Sequence, residues 1–196
     1  MLKFYRNILS IDAANIIYEK FMSWVVLNNG QLNYTLLENQ APQTNYKTFG
    51  FYNLDETYLE IDKINRTILN DFGNDYKFTH SFTRVYPHGG ILNPHVDREG
   101  LDLTLTVNVH SDPSNPWPIL FSKKSLDFNK YGSECYVGDS DSYEFLKEFM
   151  QDYTVVVTNK GDGACCTRDI PHWREPFKAS FLGDHFVQVF YHWKKI

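Results

Sequence analysis

The chain has 196 residues, of which 42% are apolar and 16% aromatic, and its net charge at pH 7 is -5. That suffices for one domain with a sizeable core, and the acidic balance argues against nucleic acid as a partner, because phosphate binding calls for a basic face. No apolar run reaches membrane-spanning length, the opening Met1-Leu2-Lys3-Phe4-Tyr5-Arg6 is too short and polar for a signal peptide, and the odd set Cys135, Cys165 and Cys166 argues against a disulfide framework, so the expectation is a cytoplasmic protein.

In chain order, Ser10 and Asp12 cap a predicted helix with Ala13, Ile16, Ile17, Phe21 and Trp24 on one side, ended by Asn28-Asn29-Gly30. Residues 31–50 are polar and irregular. Asn53 or Asp55 opens a second helix, whose stripe is Leu54, Tyr58, Ile61, Ile64 and Ile68, and Gly73 follows its end. Residues 1–75 therefore read as helices that brace one face of a sheet, and nothing in them suggests chemistry.

From Lys77 the period changes to two. Phe78, His80, Phe82, Arg84 and Tyr86 share one face of a strand, and Gly89-Gly90 breaks it. Further strands follow at Leu101 to His110, Trp117 to Phe121, Tyr153 to Thr158 and Ala164 to Arg168. His172 begins another, and His185 to His192 is the last. Many short strands between Gly/Pro turns imply a mainly β sandwich or barrel. Residues 122–152 interrupt the series with a capping-box-like Asp141/Glu144 and a short amphipathic helix carrying Tyr143, Phe145, Leu146 and Phe149. Such an insertion serves either as a lid or as a decorative excursion. On the β-like run through Cys165 and Cys166, one thiol faces in and one out.

The chemistry concentrates in Arg84-Val-Tyr-Pro-His-Gly-Gly-Ile-Leu-Asn-Pro-His-Val-Asp97. On a strand, His95 and Asp97 project to the same side and form two corners of a metal site. The third candidate is His172, within Ile170-Pro171-His172-Trp173-Arg174-Glu175-Pro176. Two histidines and a carboxylate on one side of a metal make the facial triad of non-haem Fe(II) oxygenases, although zinc accepts the same ligands. The bland alternative is an exposed turn in which Asp97 caps a backbone N–H. His80, His88, His110, His185 and His192 read as surface or core histidines.

The pattern Tyr86-Pro-x-Gly-x-x-x-x-x-His95-x-Asp97, with a distal His172 followed four residues later by Pro176, resembles the 2-oxoglutarate/Fe(II)-dependent dioxygenases. It is most similar to the branch that contains the prolyl hydroxylases, over Phe82 to Trp193. The resemblance implies a double-stranded β-helix (a cupin-like jelly-roll) within a single domain, 1–196, its core in 76–196 and its helices on the major sheet. It also implies Fe(II), 2-oxoglutarate and O2, with hydroxylation of a substrate C–H bond and release of succinate and CO2. Halogenation is not implied, because related halogenases leave the carboxylate position vacant and Asp97 fills it.

The resemblance gives Tyr86 a contact with 2-oxoglutarate. Where that branch carries Arg or Lys for the far carboxylate, this chain has Phe181. Arg174, two residues from His172 and on its face, is the favoured substitute; Arg84, on the face of Tyr86, is the reserve. Lys178 reads as solvated, and Arg98 as pointing away from Asp97. Asn108, in register with Thr104 and Thr106, is a further co-substrate contact if that face is inward. Two alternatives stand beside the oxygenase: a cupin-like module that binds a metal or small molecule without turnover, and a nucleic-acid demethylase of the same superfamily, which the net charge disfavours. The substrate, a small molecule or a peptide, is not legible.

Overall fold

Alternating side chains sort this chain into two antiparallel sheets whose inner residues share buried clusters. The computed structural model describes residues 1–27, 48–132, 144–181 and 183–196. In order the elements are β1 (Leu2–Tyr5), α1 (Ile11–Leu27), β2 (Phe49–Tyr52), α2 (Ile61–Phe72), β3 (Tyr76–Pro87), β4 (Leu92–His95), β5 (Leu103–His110), β6 (Ile119–Ser122), α3 (Phe128–Tyr131), β7 (Tyr153–Val156), β8 (Gly163–Thr167), β9 (His172–Arg174) and β10 (His185–Lys195). The major sheet runs β1-β8-β5-β10-β3-β2 and the minor sheet β4-β9-β6-β7. This is the expected mainly β, jelly-roll architecture.

The period of two assigns each face a task. Leu103, Leu105, Val107 and Val109 of β5 join Val187, Val189, Tyr191 and Trp193 of β10 in one cluster with Ile17 and Phe21 of α1 and Ile64 and Ile68 of α2. The helices therefore brace the major sheet. Two buried aromatic tips tie them to it: Tyr191 donates to Thr57 O at 2.9 Å and the Trp193 indole to Asn65 Oδ1 at 2.8 Å. The alternate residues Thr104, Thr106, Asn108, Gln188 and His192 turn toward the other sheet. The adjacent cysteines divide the same way: Cys165 lies in the helix-side cluster, Cys166 in an inner cluster with Ile119 and Phe121.

The Ser10 hydroxyl accepts from Ala13 N at 3.1 Å and so caps α1. Its buried face is Ala13, Ala14, Ile17 and Phe21, whereas Ile16, expected in the stripe, is 47% exposed. At 100° per residue, Ile16 stands next to Ile17 around the helix and on the solvent side of it. The Asn28–Gly30 stop, residues 31–47 and Cys135 lie outside the described residues. The second helix starts at Ile61, later than expected, because Asp55–Tyr58 first forms a 3-10 turn. It ends at Gly73 with φ +112°, a backbone conformation that glycine adopts readily. Strands β1 and β2 are absent from the sequence reading. Each has four residues on an edge of the major sheet, too few to show a period, and each is specified by the neighbour it pairs with.

In the insertion, Asp141 and Tyr143 lie outside the described residues. The described parts are docked. Leu126, Leu146 and Phe149 bury themselves against Val96, with Phe128, Tyr131 and Phe145 packed around them. No helix among the described residues is long and apolar enough to cross a membrane.

If the insertion is part of the scaffold, Leu146→Ala removes a side chain that is 1% exposed from this cluster. We expect a loss of about 2–3 kcal/mol in urea unfolding, the low end of the Leu→Ala range, because the cluster is small. A change below about 0.5 kcal/mol, the range of ordinary surface substitutions, would mean that the insertion docks without contributing to stability.

Candidate metal centre

His95 closes β4 and His172 opens β9, and the two are register partners in the antiparallel ladder. Their rings therefore rise on the same side, with centroids 4.3 Å apart. His95 Nδ1 faces Asn93 O at 2.8 Å and His172 Nδ1 faces Ile170 O at 3.0 Å. A carbonyl only accepts, so both rings carry the proton on Nδ1 and present the Nε2 lone pair. Burial, then the facing His172 and the charge on Arg84, holds His95 well below the usual histidine range, which keeps it in the neutral form a metal requires.

Asp97 lies beyond the end of β4, so strand alternation does not aim it. Three contacts do. Thr104 Oγ1 donates to Asp97 Oδ2 at 2.6 Å, Arg168 Nε donates to the Asp97 carbonyl at 3.0 Å, and Val96 is held in the insertion's cluster. One ligand atom from each of His95, Asp97 and His172 lies within 4.8 Å of the other two. The donor set fits Fe(II): two neutral imidazole nitrogens, one carboxylate oxygen, and an Oδ1 not taken up by Thr104.

Thr104 links this centre to a residue that sequence reasoning set aside. The hydroxyl has one proton and gives it to Asp97, so its contact with His192 Nδ1 at 3.0 Å requires the histidine to donate. Burial pushes His192 down to about 3, so the ring is neutral and the Nδ1–H tautomer is consistent. His192 lines an open cleft together with Tyr52, His80, Phe82, Arg84 and Phe190. His95 and Asp97 line the same cleft, and so does Arg98. Arg98 was expected to point away from Asp97; beyond the strand end the alternation lapses, and this exposed side chain reaches the cleft. His80 and His192 were legible as inward, since each continues an alternating face, His80 with Arg84 and His192 with Gln188.

Arg174 is 1% exposed, deeper in the barrel. Its guanidinium lies 4.7 Å from the centroids of both Trp117 and Phe186. Nη1 donates to Trp117 O, Nη2 donates to Gln188 Oε1 at 2.9 Å, and Nε has no partner. No ion pair with Glu175, Asp169 or any other acid forms among the described residues. Burial pushes its pKa down to about 9, which leaves it cationic at pH 7. Gln188 Nε2 in turn donates to the Tyr86 hydroxyl at 3.1 Å, so the Tyr86 proton stays available.

Asn108 does face inward, but its amide donates to Thr158 O at 2.7 Å and Ser111 Oγ at 2.9 Å. Its unpartnered atom is Oδ1, an acceptor, which has the wrong polarity for a carboxylate. Arg84 is 3% exposed and lies on the cleft wall. Lys178 is exposed, as expected, and Phe181 is 62% exposed in the connection to β10.

No family model and no curated protein sequence matches this chain. Solved structures do. A prolyl-4-hydroxylase from Pseudomonas putida superposes with a TM-score of 0.63 at 11% identity, over 100% of this chain and 92% of that one. A viral collagen prolyl hydroxylase from Paramecium bursaria Chlorella virus-1, solved with 2-oxoglutarate, gives 0.60 at 13% identity, over 100% and 96%. The fold is that of the 2-oxoglutarate/Fe(II) oxygenases. HygX of Streptomyces hygroscopicus, solved with nickel and 2-oxoglutarate, gives 0.65 at 8% identity, over 99% and 82%. The likeness to the prolyl-hydroxylase branch, first seen in the spacing of a few residues, thus extends to the whole oxygenase fold.

The Thr104 hydroxyl orients the carboxylate from outside the ligand set. Thr104→Val keeps the shape and removes that bond, and we expect Fe(II) affinity to fall about 10–100-fold in an anaerobic titration. Thr104→Ser should restore most of it. Equal affinities in all three proteins would show that Asp97 is held without Thr104.

Proposed function

We propose that this chain, acting as one domain over residues 1–196, is an Fe(II)- and 2-oxoglutarate-dependent oxygenase that hydroxylates a C–H bond of a small-molecule or peptide substrate. The observation that carries the reading is the convergence of His95, Asp97 and His172, with both imidazoles turned by backbone carbonyls to offer Nε2. In this reading these three residues hold the metal. Fe(II) held by three ligands keeps open positions for co-substrate and O2 and supplies the redox chemistry that yields succinate, CO2 and the hydroxylated product. The free buried thiols Cys165 and Cys166 favour a reducing compartment, the cytoplasm.

The chain's own residues bind and orient. Arg174 receives the far carboxylate of 2-oxoglutarate. A buried cation without a counter-charge costs several kcal/mol, and a carboxylate at this place removes that cost. Tyr86, its hydroxyl fixed by Gln188, donates its proton to the same co-substrate. Asn108 orders Thr158 and Ser111 and is not a carboxylate donor.

Three measurements test the reading. Asp97→Ala and His172→Ala should each lose Fe(II) affinity in an anaerobic titration, and a variant that keeps it removes that residue from the triad. Arg174→Met should weaken 2-oxoglutarate binding by roughly 2–5 kcal/mol while Fe(II) still binds, with Arg174→Lys intermediate and the control Arg84→Met leaving it unchanged. If Arg84→Met has the larger effect, the co-substrate extends toward β3 instead. Finally, succinate should form from 2-oxoglutarate in the presence of O2 over a panel of peptides and small acids. Anaerobic 2-oxoglutarate binding with no succinate from any of them would favour the cupin-like binding module.

A further inference from the structure

The reading above leaves a second buried guanidinium unused. Arg84 lies on the wall of the cleft that holds His95 and Asp97 and is 3% exposed. Its Nε has no hydrogen-bond partner, and no acid pairs with it among the described residues. What it touches are ring faces, Phe82 at 4.8 Å and Tyr86 at 5.9 Å from their centroids. Across the sheet it stands opposite Gly50 on one side and Gln188 on the other. The Phe82 ring lies over Gly50, where a Cβ would collide with it. The missing side chain lets that ring fold down beside Arg84.

The rest of this wall is aromatic. Tyr52 lies 4.5 Å from Phe82, Phe190 6.2 Å from Phe82, and His192 stacks on Phe190 at 6.2 Å. His80 closes the row 4.8 Å from His192. Arg98 stands exposed at the mouth. Asp97 is the one acid among the described lining residues, and its Oδ2 already accepts from Thr104. The cleft thus offers a desolvated cation at depth, a second cation at the entrance, and ring faces between them. Ring faces hold an apolar body, and a guanidinium matches a carboxylate.

We propose that Arg84 receives the anionic group of the substrate, which makes the substrate a small carboxylic acid whose apolar or ring-shaped body lies on Phe82 and Tyr52. The inference rests on the oxygenase reading for the fate of the bound acid, not for its binding. Arg174 serves the co-substrate and Arg84 the substrate. The two buried cations separate two carboxylates that must occupy one barrel together.

The test uses the full chain and a matched pair of probes, phenylacetate and phenylacetamide, which differ in charge and little in shape. Both are titrated calorimetrically into metal-free protein and into protein loaded with Ni(II) and N-oxalylglycine. Phenylacetate should bind at least about tenfold more tightly than phenylacetamide, the worth of one charge-assisted contact. Arg84→Met should erase that difference and leave N-oxalylglycine affinity unchanged. Arg84→Lys, which keeps the charge, should retain part of the difference and decides the matter if the methionine variant does not fold. A blocked Gly-Asp-Gly peptide carries the same carboxylate on a peptide and should bind more weakly than phenylacetate.

Equal affinity for the two probes, a preference that survives Arg84→Met, tighter binding of the peptide, or a loss of N-oxalylglycine affinity in Arg84→Met would each overturn the proposal. The two readings fail separately. Protein that takes up neither Ni(II) nor N-oxalylglycine refutes the oxygenase, while an Arg84-dependent preference for phenylacetate in the metal-free protein still supports the carboxylate site.

Discussion

The register pair His95 and His172 is the constraint on which the rest of the centre depends. In an antiparallel ladder, directly opposed residues present their side chains to the same face, and a slip of one residue turns every side chain over. The pairing therefore fixes the two candidate histidine ligands at once. It would be useless with the wrong tautomer, and the backbone supplies the correction. Each histidine meets the carbonyl two residues before it, Asn93 O or Ile170 O, so one local device serves both strands. The metal-facing nitrogen is set by main-chain geometry, which no side-chain substitution elsewhere easily disturbs.

The two faces of the major sheet follow different rules. On the helix side, β5 and β10 contribute Leu, Val, Tyr and Trp to a dry core. On the inner side they contribute Thr, Asn, Gln and His, and β3 and β9 add two arginines. Buried polar groups in a scaffold are normally satisfied, and buried charges paired. Here Thr104, Gln188 and His192 have partners, while Arg84 and Arg174 lack a counter-charge among the described residues. Proteins depart from local consistency chiefly where they bind or react. Two unneutralised guanidiniums on the inner face are such departures, and a carboxylate is the group whose charge would answer them.

Much of this was legible in the sequence. The period of two pointed Arg174 inward and put Thr104 and Asn108 on one shared face, and the spacing of His95, Asp97 and His172 carried the family likeness. The failures have local causes. Arg98 was misplaced because alternation was extended past the end of β4, where the chain is no longer a strand. Ile16 was misplaced because neighbouring apolar residues on a helix do not all belong to its buried stripe. Strands β1 and β2 are four-residue edges defined by their neighbours. His192 was read as a surface or core histidine because its importance lies in a partner, Thr104, that is 88 positions away in the chain. Contacts of that separation leave no periodic trace.

Asp97 shows how the remainder of the chain enters the site. As a candidate ligand beyond a strand end, it has no ladder to hold it and depends on side chains from three directions. Thr104 reaches it from β5, and Arg168 reaches it from the segment after β8. The Arg168 guanidinium also lies 4.3 Å from the centroid of Phe128 in the insertion. Val96, between His95 and Asp97, turns the opposite way and packs on Leu126, Leu146 and Phe149 of the same insertion. The insertion thus touches the candidate metal motif twice, through Val96 between His95 and Asp97 and through the arginine that grips the Asp97 backbone. Read from sequence it is a lid or an ornament. In the folded chain its described parts stand behind Asp97, and they supply the rigidity that a loop residue lacks by itself.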